Sequence, residues 1–152
     1  MNKRQSRRSG SFWAAMEGRA PMPRAAATLG LEFVDANVED GTIDLAFTAT
    51  DAFTNPAGNV LGAFQAAMLY DTVGPALLAT LEPDQFQSTL DLNVLFVRPV
   101  RPGRILAKGR IVRRDGDMVF LEGELLDSSH ETVAVATATA RVIAAAEASR
   151  SV

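Results

Sequence analysis

The stretch NVLGAFQAAMLYDTVGPALLATL, residues 59–81, is apolar almost throughout and carries a single carboxylate, Asp71. Its nearest charged neighbours along the chain are Asp51 and Glu82. Taking a lone carboxylate out of water is costly unless it is hydrogen-bonded or its pKa rises. A carboxyl in that setting suits proton removal as a general base, or attack on a carbonyl as a nucleophile. The structural alternative is a buried acid held by Thr72, by a freed backbone group or by a partner chain. Other chemistries have little footing. His130 is the sole histidine and lies in a polar turn, and there is no cysteine, so a His/Cys zinc site is excluded. Neither a Gly-x-Ser-x-Gly elbow nor a phosphate-cradling glycine loop occurs.

The elements that must position Asp71 follow from hydrophobic period and turn chemistry. Residues 60–81 are too long for a strand, and Ala66, Ala67, Met68 and Leu69 are good helix formers. Apolar residues on every side predict a helix enclosed by other elements, and Pro75 predicts a kink back to Asp71. Upstream, SFWAAMEGR (11–19) reads as a short amphipathic helix with Ser11 as its cap and Phe12, Trp13 and Met16 on one face. In GTIDLAFTAT (41–50), Ile43, Leu45 and Phe47 alternate with polar or small residues, as in a half-buried strand. Residues 51–59, DAFTNPAGN, are loop chemistry.

Four more extended runs follow at 88–97, 104–114, 118–127 and 132–143. The DGD at 115–117 is a hairpin signal, and the run after the helix is expected to form an antiparallel meander. Leu92, Val94 and Phe96 share one side of their strand. Ala134, Ala136, Ala138 and Ala140 give the last strand a flat face that admits close approach. Five strands around one helix leave an exposed edge, which predicts self-association.

Bulk properties fit one soluble folded unit. The chain has 152 residues, 47% hydrophobic and 22% charged, with room for a substantial core. Lys3, Arg4, Arg7, Arg8, Arg19 and Arg24 against Glu17 give the first 24 residues +5, so with a total of −3 the remainder carries −8. A basic arm on an acidic body reads as a solvated tail and argues against a nucleic-acid partner. A membrane span is disfavoured by Asp71, Gln65 and the Gly74–Pro75 pair. The absence of cysteine and of a signal peptide's apolar core fits a cytoplasmic location.

Strand, Asn-containing loop, enclosed helix with an acid in its middle, and antiparallel strands together resemble the hotdog fold. More narrowly, the chain resembles the PaaI-like acyl-CoA thioesterases of the phenylacetate-degradation type, from about GLEF (30–33) to TARVI (139–143). That family places an Asn six residues before a His-Gly-Gly or Gln-Gly-Gly that opens the central helix. An Asp follows nine residues after the His or Gln, and a later segment reads Thr-x-Asp-Leu-x-Val-x-Phe-x-Arg-Pro. Here Asn55 takes the first position and Leu61-Gly62-Ala63 the helix opening, while TLDLNVLFVRP (89–99) matches every fixed position of the last. FWAAMEGRAPMPRAAATLG (12–30) is similar to a leader of some members. Nine residues beyond Leu61 stands Tyr70, and Asp71 is next; some relatives carry two consecutive acids there, of which this chain keeps the second.

The resemblance implies an α+β hotdog domain over 28–145, preceded by a basic arm and short helix (1–27) and followed by a tail (146–152). It implies acyl-CoA thioester hydrolysis with no cofactor, coenzyme A being part of the substrate. It also implies a homodimer or homotetramer in which the acid of one subunit meets the helix start of another. On that basis Asp71 is base or nucleophile, and the free amides at Gly62 and Ala63 are oxyanion donors. Asn55 and Thr89, with Ser88 beside it, position the reactants. Tyr70 either orients a carbonyl or water or is a core aromatic. Phe64 and Met68, with Leu92 and Val94, are expected acyl walls for an aryl or medium-chain group. Arg98, Arg101 and Arg104 either grip coenzyme A phosphates or form a solvated basic loop. The competing function is a non-catalytic acyl-CoA-binding or scaffold protein of the same fold, because Tyr70 occupies the usual acid position.

Overall fold

The computed structural model describes residues 8–152. The basic arm's Lys3, Arg4 and Arg7 lie outside the described residues. Two short helices, α1 (Ser11–Met16) and α2 (Arg24–Thr28), lead into strands β1 (Glu32–Asn37) and β2 (Thr42–Ala49). The long helix α3 (Gly62–Leu78) follows, then β3 (Gln85–Phe96), β4 (Gly103–Asp115), β5 (Met118–Leu126) and β6 (Thr132–Ala144). A 3₁₀ turn, Ala145–Arg150, carries the chain toward its end. All strands join one antiparallel sheet in the order β1-β2-β4-β5-β6-β3.

The sheet curls around α3, whose Met68, Leu69, Thr72, Val73 and Leu77 are fully buried. Inward side chains alternate with outward ones, as period two requires: Ile43, Leu45 and Phe47 on β2, Ile105 and Ala107 on β4, and Val119, Leu121 and Leu125 on β5. Ala134, Ala136, Ala138 and Ala140 of β6 are buried, but the tightest approach of the helix is at glycines. A Cβ on Gly109 would stand 2.8 Å from the Thr72 carbonyl oxygen, and one on Gly123 would stand 3.1 Å from Val73 Cγ1. These two positions set how deeply the helix seats.

Pro75 acts as its chemistry dictates. It has no N–H to give the Asp71 carbonyl, and Asp71 leaves helical geometry at φ −82°, ψ 16°. The helix therefore bends at the residue that carries its only charge.

Four features depart from the sequence reading. Among the described residues there are six strands rather than five: β1 was hidden because its register slips between Phe33 and Asp35, leaving Val34 bulged and breaking the alternation. Helix α2 was likewise unforeseen. β3 pairs with β6 and not with β4, so the meander proper is β4-β5-β6. Ser11 is the first helical residue of α1 rather than its cap, which is Gly10 and makes no side-chain cap bond. The predicted hairpin at 115–117 forms, with Gly116 at φ 64° where a side chain would be strained.

A second bulge shapes the site. The β3 register slips between Thr89 and Asp91, pushing Leu90 outward. Before the bulge Gln87 and Thr89 are the buried residues, and after it Leu92 and Val94 are partly buried. One extra residue thus lets both parities face the helix. Asp91 is a strand residue whose Oδ1 accepts the Thr139 N–H at 2.9 Å.

Candidate active site

Asp71 lines a cavity of about 450 Å³ between α1, the kinked half of α3, the Leu81–Phe86 segment and the end of the chain. Tyr70, Gly74, Pro75 and Gln87 share that lining. The Asp71 carboxyl is partly buried, and burial pushes its pKa up from 3.8 to about 6. Among the described residues nothing hydrogen-bonds it. The hydroxyl of Thr72, the candidate anchor, donates instead to the Met68 carbonyl one turn back at 2.7 Å. A desolvated carboxyl without a protein donor is more basic than an ordinary aspartate and free to take a proton from a molecule in the cavity.

The helix start forms the second half of the constellation. Leu61 is the N-cap in extended geometry, and the first-turn bonds begin with the Phe64 and Gln65 amides on the Leu61 carbonyl, at 2.9 and 3.2 Å. The amides of Gly62 and Ala63 have no carbonyl one turn back to reach. Ala63 is exposed, and the Phe96 ring lies over Gly62, 3.0 Å from where a Cβ would be. Gln65 fastens this end: its Nε2 donates to the Val60 carbonyl at 3.1 Å, while its buried Oε1 has no partner among the described residues. Asp71 lies nine residues beyond Gly62, roughly 13 Å along the axis. Asn55, Gly62 and Ala63 do not line the Asp71 cavity, so within one protomer the acid and the donors are apart.

The remaining candidates fall into distinct places. Asn55 is committed to its turn, its Oδ1 accepting the amides of Ala57 and Asn59, both at 3.0 Å. Buried Thr89 donates to Gln87 Oε1 at 3.2 Å, and the Gln87 amide sits against Gly74, where a Cβ would meet Nε2 at 2.9 Å. The Tyr70 hydroxyl donates to the Val152 carbonyl, and Ser88 Oγ accepts the Val152 amide at 3.4 Å. Phe64 stacks on Phe53 with centroids 4.2 Å apart. Met68 is sealed in the core, and neither it nor Phe64, Leu92 or Val94 lines the cavity. The walls beside Asp71 are instead Phe12, Trp13, Met16, Leu78, Leu81 and Phe86. Only the apolar face of α1 was visible in sequence; what it covers was not.

The three arginines are exposed and occupied. Arg98 pairs with Glu131, Arg104 with Glu32 at 3.4 Å, and Arg101 bonds the Gly58 carbonyl at 3.3 Å. Exposed pairs of this kind contribute about 0–1 kcal/mol each, so an incoming phosphate could displace them. Among the described residues no group of acids and histidine is placed to hold a metal ion, and no helix is long and apolar enough to cross a membrane.

Comparison with known proteins converges on one family. The family model described as the thioesterase superfamily matches residues 57–134, which span the helix start, Asp71 and strands β3 to β5. A phenylacetic acid degradation-related protein from Ralstonia eutropha JMP134 is 38% identical, over 86% of this chain and 98% of that one, with a TM-score of 0.82. A thioesterase from Haemophilus influenzae (20% identity, 91% and 94% covered, TM-score 0.77) shares the fold. So does the E. coli PaaI protein of the phenylacetic acid degradation operon (15% identity, 87% and 93% covered, TM-score 0.76). None of the curated proteins matches significantly. With its six strands wrapped on one kinked helix, its acid in mid-helix and these matches, the chain belongs to the thioesterase superfamily as a PaaI-like protein of hotdog fold.

Proposed function

We propose that the protein hydrolyses an acyl-CoA thioester, of an aryl or medium-chain acid, at a site shared between two protomers. The observation that carries this reading is the Asp71 carboxyl, open to a cavity, unbonded by the described residues and raised to a pKa of about 6. At pH 7 it is mostly ionised. It takes a proton from a water as that water's oxygen bonds to the thioester carbonyl carbon, or it makes that bond itself. The carbonyl oxygen becomes an oxyanion, held by amides at Gly62 and Ala63 of the other protomer. The carbon–sulfur bond then breaks, and coenzyme A leaves as a thiolate of moderate basicity; where Asp71 itself made the bond, a water then cleaves the resulting anhydride to the free acid and the Asp71 carboxylate. Asn55, through the Nδ2 that makes no bond among the described residues, and Thr89, through Gln87 in the cavity lining, position the reactants, and Arg98, Arg101 and Arg104 accept the phosphates.

The shared site is supported by the edge that β3 presents. Leu90, Leu95, Phe96 and Val97 are 49%, 65%, 51% and 47% exposed along or just beyond that edge strand. Pairing of two such edges covers them and supplies the donors that one protomer lacks beside Asp71. A homodimer, or a tetramer built from it, is the working unit.

Free-thiol release from benzoyl-, phenylacetyl- and octanoyl-CoA tests the reading. The expected result is turnover that Asp71→Asn reduces by at least a hundredfold. Tyr70 in the usual acid position favours a second reading, an acyl-CoA binder without turnover. Saturable acyl-CoA binding with no thiol released would establish that reading and end the first.

A further inference from the structure

The lining of the cavity beside Asp71 is mostly apolar. Phe12, Trp13 and Met16 of α1 line it together with Leu78 of α3 and with Leu81 and Phe86. Trp13 is pinned from several directions. Its indole Nε1 donates to the Ala79 carbonyl at 3.2 Å, and its ring meets Phe12 and Phe33 edge-on, with centroids 5.2 and 5.6 Å away. The Arg8 guanidinium lies 4.0 Å above it. With its one N–H satisfied, the indole offers the cavity only carbon surface. Met16 beside it is the adaptable side chain of the wall. A volume of about 450 Å³ is in the range that encloses small organic ligands.

We infer that this intrachain cavity takes the hydrocarbon part of the acyl group, and that α1 is the ruler that sets how long that group can be. The thioester carbonyl lies at the Asp71 end, and the chain or ring runs along Leu78 toward Phe12 and Met16. The inference rests on the hydrolase reading for the placement of the carbonyl, but occupancy of the cavity by an apolar group does not require turnover. Each methylene buried tightens binding about fourfold until the chain end meets α1.

Trp13 is the only tryptophan, so its emission reports directly on this cavity. The Asp71→Asn protein is titrated with butanoyl-, hexanoyl-, octanoyl- and dodecanoyl-CoA while emission is followed. The expected result is a saturable change, with Kd falling about fourfold per methylene up to octanoyl and no further gain at dodecanoyl. In the Asp71-containing protein, Ala15→Phe narrows the cavity and lowers the ratio of octanoyl to acetyl kcat/KM at least tenfold. Met16→Ala moves the preference to longer chains, and it carries the test where the bulky variant fails to fold. Trp13 responding with this chain-length trend, but with no thiol released, keeps the ruler and removes the hydrolase. Turnover whose chain-length profile ignores both α1 variants, with silent Trp13 emission, overturns the ruler and leaves the hydrolase standing.

Discussion

Two of the concavities among the described residues make an instructive pair, and the larger of the two is the less suited to chemistry. The outer face of the sheet holds one of about 770 Å³, bordered by Asp44, Lys108, Arg110, Glu122 and Glu124. Its charges are exposed and largely mated: Arg110 reaches Glu122 at 2.6 Å, and Glu124 accepts the Thr132 hydroxyl at 3.1 Å. The smaller one, on the helix side, contains the Asp71 carboxyl, which no described residue hydrogen-bonds, in surroundings that raise its pKa. Volume does not mark a reactive site. An ionisable group left without a partner where water is scarce does, because its charge is available to a ligand instead of being spent on the fold.

The sharpest way to break this contrast is to separate the acid from its donors. Gly62→Pro keeps the helix, since proline fits the first helical position, and removes one amide donor; the exposed Phe96 ring has to yield. Alone, this variant and Asp71→Asn should each lose at least a hundredfold in kcat/KM. Co-refolded as a mixture, they should recover up to about a quarter of the unmodified activity. That recovery comes from mixed dimers, half of the statistical population, each with one intact site. Absence of recovery in proven mixed dimers would contradict the shared site.

Next in size is the seam between helix and sheet. Gly109→Ala places a methyl against the Thr72 carbonyl and should cost about 1–3 kcal/mol in urea unfolding, with the Asp71 end of α3 shifted. Asp71→Asn should move stability the other way. The folded-state pKa is above the unfolded value, so the carboxylate's cost appears as pH rises from about 4 to about 6 and persists above. At pH 7 the variant should be about 1–2 kcal/mol more stable than the unmodified protein, and at pH 3 the gain should vanish. Equal stability at both pH values would mean that the acid is not desolvated. The smallest effect belongs to the outer face: Arg110→Ala should change stability by less than about 1 kcal/mol and leave turnover untouched. A large loss of turnover there would transfer the functional claim to the wrong concavity's owner, the outer sheet.

Much of this was legible in sequence for physical reasons that can be named. The isolated acid, the kinking proline four residues later and the run TLDLNVLFVRP together pointed to helix, kink and family. What stayed hidden was non-local. β1 was masked by the bulge at Val34, and no residue between Phe96 and Gly103 announces that β3 lies against β6. The partners of Arg98 and Arg104 stand 33 and 72 residues away in sequence, and nothing in a linear reading joins them. That the expected acyl walls lie apart from the Asp71 cavity was hidden for a similar reason. Met68 is apolar enough for a pocket or a core, and only the packing assigns it to the core, leaving the cavity to α1.

The most direct measurement of the central claim is the pH dependence of kcat/KM for thiol release between pH 4.5 and 8. A base that must be ionised gives a rate rising through a midpoint near 6, in step with the Asp71 carboxyl, and flat above it. A midpoint at the ordinary aspartate value, or a profile that Asp71→Asn leaves unchanged, would contradict the account.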